Sequence, residues 1–148
     1  MKIRRLCIAL FCVTSLKVSF AQQHQPDKAP PDPTPLIRKC LLSLCTALDM
    51  FELDTGFYPT EAQGLTSLLK NPSVAGWQGP YIKLAPDQWY AAHMRINADG
   101  LLVDTWGTPF RYRLIKRNYK VDSAGADGKF DTDDDITPEV KKPSNVGT

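Results

Sequence analysis

Apolar side chains recur at three- and four-residue spacing between residues 35 and 54, which is the period of one face of an α-helix. Thr34 is the expected N-cap, Pro35 occupies the first turn, and Gly56 is the expected left-handed C-cap. This helix should be the longest of the chain and supply most of its core. The stripe consists of Ile37, Cys40, Leu41, Leu44, Leu48 and Phe51.

A second, shorter helix is predicted from Thr60 to about Lys70. Thr60 and Gln63 have the spacing of a capping box, in which each side chain bonds the other residue's amide. The buried face of this helix would consist of Leu65, Leu68 and Leu69.

Farther along, apolar and polar residues alternate, as they do in half-buried strands. The alternation predicts two antiparallel strands, at residues 110–114 and 119–121, with a shorter strand at 101–103. Residues 84–100 have no clear period and are interpreted as irregular. Two helices followed by a small antiparallel sheet indicate an α+β fold.

The first 21 residues have the layout of a secretory signal peptide. A basic start precedes an apolar run too short for a stable membrane span, and small residues precede a cleavage point after Ala21. Residues 22–34 are rich in proline and are interpreted as a tether, residues 35–138 as the folded domain, and residues 139–148 as a disordered tail. We therefore expect secretion across the inner membrane to the periplasm or the cell exterior, with no stable membrane span after cleavage.

The signal peptide also accounts for the positive balance of the chain. Lysine and arginine total 18, against 16 aspartate and glutamate residues. Four of the basic residues lie within the first 21, so the remainder carries 14 basic and 16 acidic groups, a formal charge of −2. A chain this close to neutrality has no electrostatic attraction for nucleic acid.

Two cysteines, Cys40 and Cys45, follow the signal peptide. Five positions along a helix separate side chains by about 140° and their Cα atoms by roughly 8 Å, beyond disulfide distance. The cysteines are then either buried small apolar residues or paired with another group, and we favour burial.

Five aspartates crowd the segment from residue 123 to residue 136, which we call the aspartate loop. Its glycines, Gly125 and Gly128, allow backbone carbonyls to turn inward, and a shell of oxygens suits a hard cation such as Ca²⁺. An EF-hand is excluded because its required glycine and glutamate would fall on Ile136 and Lys142. A Ca²⁺ loop and an exposed acidic loop that binds nothing both remain open. The five are Asp127, Asp131, Asp133, Asp134 and Asp135.

An enzyme is not expected. The chain contains no nucleophile elbow, no HExxH motif and no glycine-rich phosphate loop. Its two histidines, His24 and His93, lie in the tether and in the irregular segment. Magnesium-dependent phosphoryl chemistry is also disfavoured, because Mg²⁺ sites keep several waters and need only one or two protein carboxylates.

Four motifs that occur in order across residues 40–136 resemble the major pseudopilin, protein G, of type II secretion systems. They are ALDMFELDTGFYPT with the following EAQGL at 47–65, GWQGPYI at 76–82, DTWGTPFRY at 104–112, and the aspartate loop. The resemblance implies a pilin-like fold, in which the long and short helices pack on an antiparallel sheet and a C-terminal loop binds Ca²⁺.

The resemblance also assigns the Ca²⁺ ligands residue by residue. Asp131 stands where many relatives have glycine, so it is either an extra ligand or a solvated charge. Ser123 is expected to order the turn rather than to bind metal. The assigned shell consists of the carboxylates of Asp127, Asp134 and Asp135 with backbone carbonyls near Ala124 and Lys129.

These features predict a non-enzymatic, Ca²⁺-binding component or accessory of a type II secretion system, with other secretion proteins or like subunits as partners. The alternative is a stand-alone periplasmic or extracellular protein-binding module with the same fold. Two features depart from the family pattern: the start resembles an export signal rather than a prepilin leader, and residues 84–100 look inserted. A different start codon, with a prepilin leader upstream, is a further possibility.

Overall fold

In the computed structural model of the chain, helix α1 spans Thr34–Thr55, close to the bounds that the apolar period predicts. The helix ends at Gly56, whose φ of +86° is left-handed and whose amide donates to the carbonyl of Glu52 at 2.7 Å. The predicted cap at Gly56 and the predicted apolar face are confirmed. All six residues of the predicted stripe are buried, and Cys45 and Ala47 join them.

The predicted N-cap at Thr34 is wrong. Oδ1 of Asp32 accepts a hydrogen bond from the amide of Thr34 at 2.9 Å, and the helix begins one residue earlier than expected. The carbonyl of Pro33 accepts the first backbone bonds, from Leu36 and Ile37. The helix starts earlier because a carboxylate two residues upstream already satisfies the amide of Thr34.

The second predicted helix is reduced to a 3₁₀ helix at Leu65–Leu68. The capping-box pair does form: the amide of Thr60 donates to Gln63 Oε1 at 2.9 Å and the amide of Gln63 donates to Thr60 Oγ1 at 3.3 Å. Gly64, with a φ of +53°, then takes the backbone out of the helical region. The pair therefore closes a turn instead of opening a helix.

The strands form two antiparallel pairs. The strands predicted at residues 110–114 and 119–121 are confirmed as the second pair. Their register places Tyr112 opposite Val121 and Arg111 opposite Asp122. The first pair is shorter, with Ile96 opposite Leu102. The strands are β1 (Arg95–Ile96), β2 (Leu102–Val103), β3 (Arg111–Ile115) and β4 (Asn118–Asp122).

Strand β1 lies in the segment that the sequence suggested to be irregular. The side chain of Asn97 bends the chain there, because its Oδ1 accepts hydrogen bonds from the amides of Asp99 and Leu101. That side-chain turn returns the chain onto itself and pairs two residues on each side. The helix-then-strands order and the antiparallel pairing confirm the predicted α+β class, with a long N-terminal helix ahead of small antiparallel pairs, as the resemblance implies.

The apolar face of α1 packs against the hairpin β3–β4, where Phe110, directly before β3, and Val121, on β4, are buried. Two tyrosines fix the hairpin β3–β4 to the helical layer: Tyr112 donates to the carbonyl of Pro59 at 2.7 Å, and Tyr119 to that of Cys45 at 3.1 Å. The hairpin in turn positions the aspartate loop that comes directly after β4.

Cys40 and Cys45 are both buried free thiols, as the helical spacing predicts. The structure describes residues 31–138 apart from 87 and 89–91, so the predicted signal peptide, most of the tether and the tail lie outside the described residues. Within those described ranges, no helix is long and apolar enough to cross a membrane.

Candidate metal site in the aspartate loop

The two ends of the aspartate loop are tied together by backbone hydrogen bonds. The amide of Ser123 donates to the carbonyl of Ile136 at 3.0 Å, and the amide of Ile136 donates back at 2.9 Å. Both residues are buried. The loop is therefore closed at its base as an extension of the β3–β4 hairpin.

The base is anchored to the turn after β2. Ser123 Oγ donates to Asp104 Oδ2 at 2.6 Å and accepts from the amide of Gly125 at 3.3 Å. The other oxygen of Asp104 accepts the amides of Trp106 and Thr108, each at 3.0 Å. Ser123 therefore orders the loop, as expected. Asp104 belongs to the same network, although it was not among the predicted site residues.

Two of the predicted ligands lie against the same stretch of backbone. Asp134 Oδ2 accepts a hydrogen bond from the amide of Asp127 at 2.8 Å, and Asp127 Oδ1 accepts one from the amide of Lys129 at 2.8 Å. Gly125, with a φ of +66°, allows this approach, because an added Cβ would collide with the carboxylate and carbonyl of Asp134. The structure thus brings Asp134 to the backbone of the turn that carries Asp127.

The third predicted ligand, Asp135, faces a different set of donors. Its Oδ2 accepts the amide of Asp131 at 2.9 Å and Nη2 of Arg111 at 3.3 Å. Its Oδ1 is buried and has no hydrogen-bond partner among the described residues. One oxygen of Asp135 is therefore already bound by the protein, and the other is an unsatisfied acceptor.

Arg111 is the component of the site that sequence reasoning missed. Its Nε and Nη2 donate to the two oxygens of buried Asp122, both at 2.8 Å, and its Nη1 donates to both oxygens of Asp131 at 3.1 Å. Although burial would raise the pKa of Asp122, the hydrogen bonds from Arg111 and Lys120 lower it below its ordinary value. Asp131, predicted to be either an extra ligand or a solvated charge, is an ion-pair partner of Arg111.

The donor chemistry fits a hard cation, because every predicted side-chain ligand is a carboxylate and Asp135 presents an unsatisfied oxygen. Two backbone carbonyls, near Ala124 and Lys129, are also predicted to bind the metal. Residue Ala124 is buried, and the carbonyl of Lys129 accepts a hydrogen bond from Thr132 Oγ1 at 3.2 Å. In the part of the chain that the structure describes, no three side chains of His, Cys, Asp or Glu are gathered closely enough to hold a metal ion.

Comparison with known proteins gives matches across this domain. Residues 36–100 match the family model described as type II secretion system (T2SS), protein G. The match runs through residues 84–100, the segment interpreted as an insertion.

Individual relatives are described as type II secretion system core protein G. Type II secretion system core protein G of Aeromonas hydrophila is 35% identical over 103 residues, covering 65% of this chain and 61% of that protein. The Pseudomonas aeruginosa protein of the same description is 37% identical over 103 residues, covering 64% and 62%. The chain thus spans about three fifths of the length of these relatives.

One solved structure is also similar, the major pseudopilin from the type 2 secretion system of enterohaemorrhagic Escherichia coli. It is 26% identical, with 70% of this chain and 82% of that chain covered, at a TM-score of 0.48.

Proposed function

We propose that this chain belongs to the type II secretion system protein G family, whose model and relatives its folded domain matches, and that the protein is a non-enzymatic structural component of a type II secretion system. The family match over residues 36–100 carries this proposal. It covers α1 from its third residue onward and the turn after it, the elements that hold the hairpin in place. The proposed partners are other subunits of the secretion system or further copies of this chain.

We propose export as the route by which the protein reaches these partners. The basic, apolar and small-residue pattern of the first 21 residues supports passage across the inner membrane. The protein then works in the periplasm or at the cell exterior. The Ca²⁺ concentration there is high enough to occupy even a site of weak affinity, as it does in extracellular modules.

We propose that the aspartate loop binds Ca²⁺ through Asp127, Asp134 and Asp135, with carbonyls near Ala124 and Lys129. The oxygen-only donor set, the close approach of Asp134 at Gly125 and the unsatisfied Oδ1 of Asp135 support this proposal. Binding requires the carboxylates to converge from the positions that their hydrogen bonds give them. A loop is the part of a fold best able to make that adjustment.

Calcium binding would stabilise the fold and would take no part in a chemical reaction. The cation neutralises carboxylates that repel one another and fixes the loop, so that binding free energy becomes free energy of folding. The loop extends from β4 and rests on the Asp104 turn, and an ordered loop enlarges the rigid surface available to a neighbouring subunit.

The ligand assignment is tested by calorimetric titration of Ca²⁺ into Asp127→Ala, Asp134→Ala and the parent protein. Each of the two substitutions should weaken binding at least about tenfold, the loss expected for one good charged ligand. Asp133→Ala is the matched control: it removes the same charge from the same loop at an exposed residue outside the ligand set, and should change affinity little. Unchanged affinity of Asp127→Ala would show that the assignment is wrong.

The secretion role is tested in the bacterium that carries the gene. Deleting the gene should reduce the exported fraction of a type II substrate, and the parent sequence supplied from a plasmid should restore it. The stand-alone binding module is the second candidate, supported by the exposed Ile96 and Leu101 beside the β1–β2 turn. Unchanged export in the deletion strain would favour that candidate and contradict the secretion role.

A further inference from the structure

We propose that the Arg111 guanidinium is a built-in cation of the aspartate loop, which holds the second half of the loop in its folded form whether or not a metal is bound. Arg111 lies on β3, outside the loop, and it was not among the predicted site residues. This role does not require the proposed Ca²⁺ site to exist, because the guanidinium and its carboxylates all belong to this chain.

One guanidinium binds three carboxylates that come from three points of the chain. The Asp122 carboxylate, at the end of β4, is bound by two parallel bonds of 2.8 Å, the fork geometry that arginine favours. Asp131, in the middle of the loop, receives both bonds of Nη1, and Asp135, at its end, receives Nη2 at 3.3 Å. Arg111 therefore ties the loop to the hairpin at two separate places.

The low exposure of this cluster makes the pairs stronger than ordinary surface ion pairs. The side chain of Arg111 is 16% exposed, that of Asp122 is fully buried, and that of Asp135 is 15% exposed. The Phe130 ring covers the guanidinium at 4.1 Å from its centroid. The pair with Asp131, whose side chain is 75% exposed, is the one most open to screening by salt.

The backbone conformation of Asp131 also indicates that its contacts hold it in place. Its φ is +68°, in the left-handed region that favours glycine, and residues other than glycine stay there only where their surroundings hold them. Both the side chain and the amide of Asp131 are held, by Arg111 and by Oδ2 of Asp135 respectively. The carboxylate compensates for the unfavourable backbone by binding Arg111.

The consequence concerns how far the loop depends on metal. Asp131 and Asp135 would repel each other, and a bound cation is one way to relieve that repulsion. Arg111 relieves it with a positive charge that is permanent at any physiological pH. The loop should therefore remain ordered without metal, and losing Arg111 should make its order depend on metal.

The experiment is amide hydrogen exchange of the full chain in EDTA, monitored over peptides that cover residues 127–136. In the parent protein these amides should be protected. In the Arg111→Gln protein the same amides should exchange at least about tenfold faster, because the loop loses its charge-assisted hydrogen bonds to Arg111. Arg113→Gln is the matched control, since Arg113 lies on the same strand and approaches Asp122 only to 3.9 Å, and it should leave the loop protected.

A second variant distinguishes a local loss of order in the loop from unfolding of the whole domain. Arg111→Lys keeps a positive charge beside buried Asp122 but lacks the planar fork that makes paired bonds to Asp122 and to Asp131 together. It should leave the amides of α1 protected while those of the loop exchange faster than in the parent protein. Loop protection in EDTA that is equal in the parent, Arg111→Gln and Arg111→Lys proteins would overturn the proposal.

Adding Ca²⁺ separates this proposal from the calcium site. If Ca²⁺ restores loop protection in Arg111→Gln, both are supported. If the loop of Arg111→Gln exchanges fast with and without Ca²⁺ while the parent loop stays protected in EDTA, the role of Arg111 is supported and the calcium site fails.

Discussion

Ser123 Oγ lies 2.6 Å from Oδ2 of Asp104, to which it donates a hydrogen bond, and both side chains are fully buried. The two residues are 19 positions apart, on either side of the β3–β4 hairpin. Through this contact the turn after β2 and the base of the aspartate loop fold as one unit. Disturbing either residue should loosen the loop as well as the core.

Ser123→Ala removes the hydroxyl that donates to Oδ2 of Asp104 and leaves a buried carboxylate without that hydrogen bond. We expect the free energy of unfolding to fall by about 1–3 kcal/mol, as measured by urea denaturation. The control is Ser43→Ala, because the Ser43 hydroxyl donates to a helix carbonyl at an exposed site. A Ser123→Ala protein as stable as Ser43→Ala would contradict this account of the base.

Asp122 should make the protein sensitive to acid. Its pKa is lowered in the folded state, despite burial, by Arg111 and Lys120, so its ionised form stabilises the fold above the ordinary value of 3.8. This contribution is lost as the pH falls below that value and the folded-state carboxylate becomes protonated. The free energy of unfolding should decline more steeply between about pH 4 and pH 2 in the parent protein than in Asp122→Asn. Parallel pH profiles would contradict the assignment.

Tyr112 should make the protein sensitive to base. Burial raises the pKa of its phenol from 10.0 to about 12, so the folded state favours the neutral form. This stabilisation is complete below pH 10 and is lost as the pH rises towards 12. The tyrosinate absorbance of the parent protein minus that of Tyr112→Phe should show ionisation near pH 12 or together with unfolding. Ionisation near pH 10 in a folded protein would contradict the prediction.

Cys40 should be inert while the protein is folded. Burial removes the thiol from solvent and raises its pKa to about 11, so little thiolate is present near neutral pH. A thiol reagent applied to the native chain should leave the α1 peptides unlabelled, whereas the urea-unfolded chain should be labelled fully. Rapid labelling of Cys40 under native conditions would show that α1 does not bury this face.

The sequence predicts the elements whose signals are local and agree with one another. The apolar period and Gly56 define α1, and alternation around Tyr112 defines β3. The second helix fails because the bonds between Thr60 and Gln63 form equally well in an isolated turn, and Gly64 decides between the two. Local capping chemistry therefore locates a turn but does not determine whether the next residues continue as a helix.

The site is predictable only in part, because sequence reasoning finds contacts within one loop but not contacts that depend on strand register. Asp127 and Asp134 approach each other within one loop, across Gly125. Arg111 binds residues 11, 20 and 24 positions away, and its first partner is set by the strand register. The hairpin turns at residues 116–117, which is tighter than the gap between the predicted strands at 110–114 and 119–121, and only the correct register puts Arg111 opposite Asp122.

The most direct test of the proposed calcium site is thermal unfolding of the protein in EDTA, with excess Ca²⁺, and with excess Mg²⁺. The protein should be folded in EDTA, and saturating Ca²⁺ should raise the melting temperature by about 5 °C or more, with a smaller rise in Mg²⁺. A melting temperature that is the same in EDTA and in Ca²⁺, or that rises equally with both metals, would contradict a calcium-selective structural site in the aspartate loop.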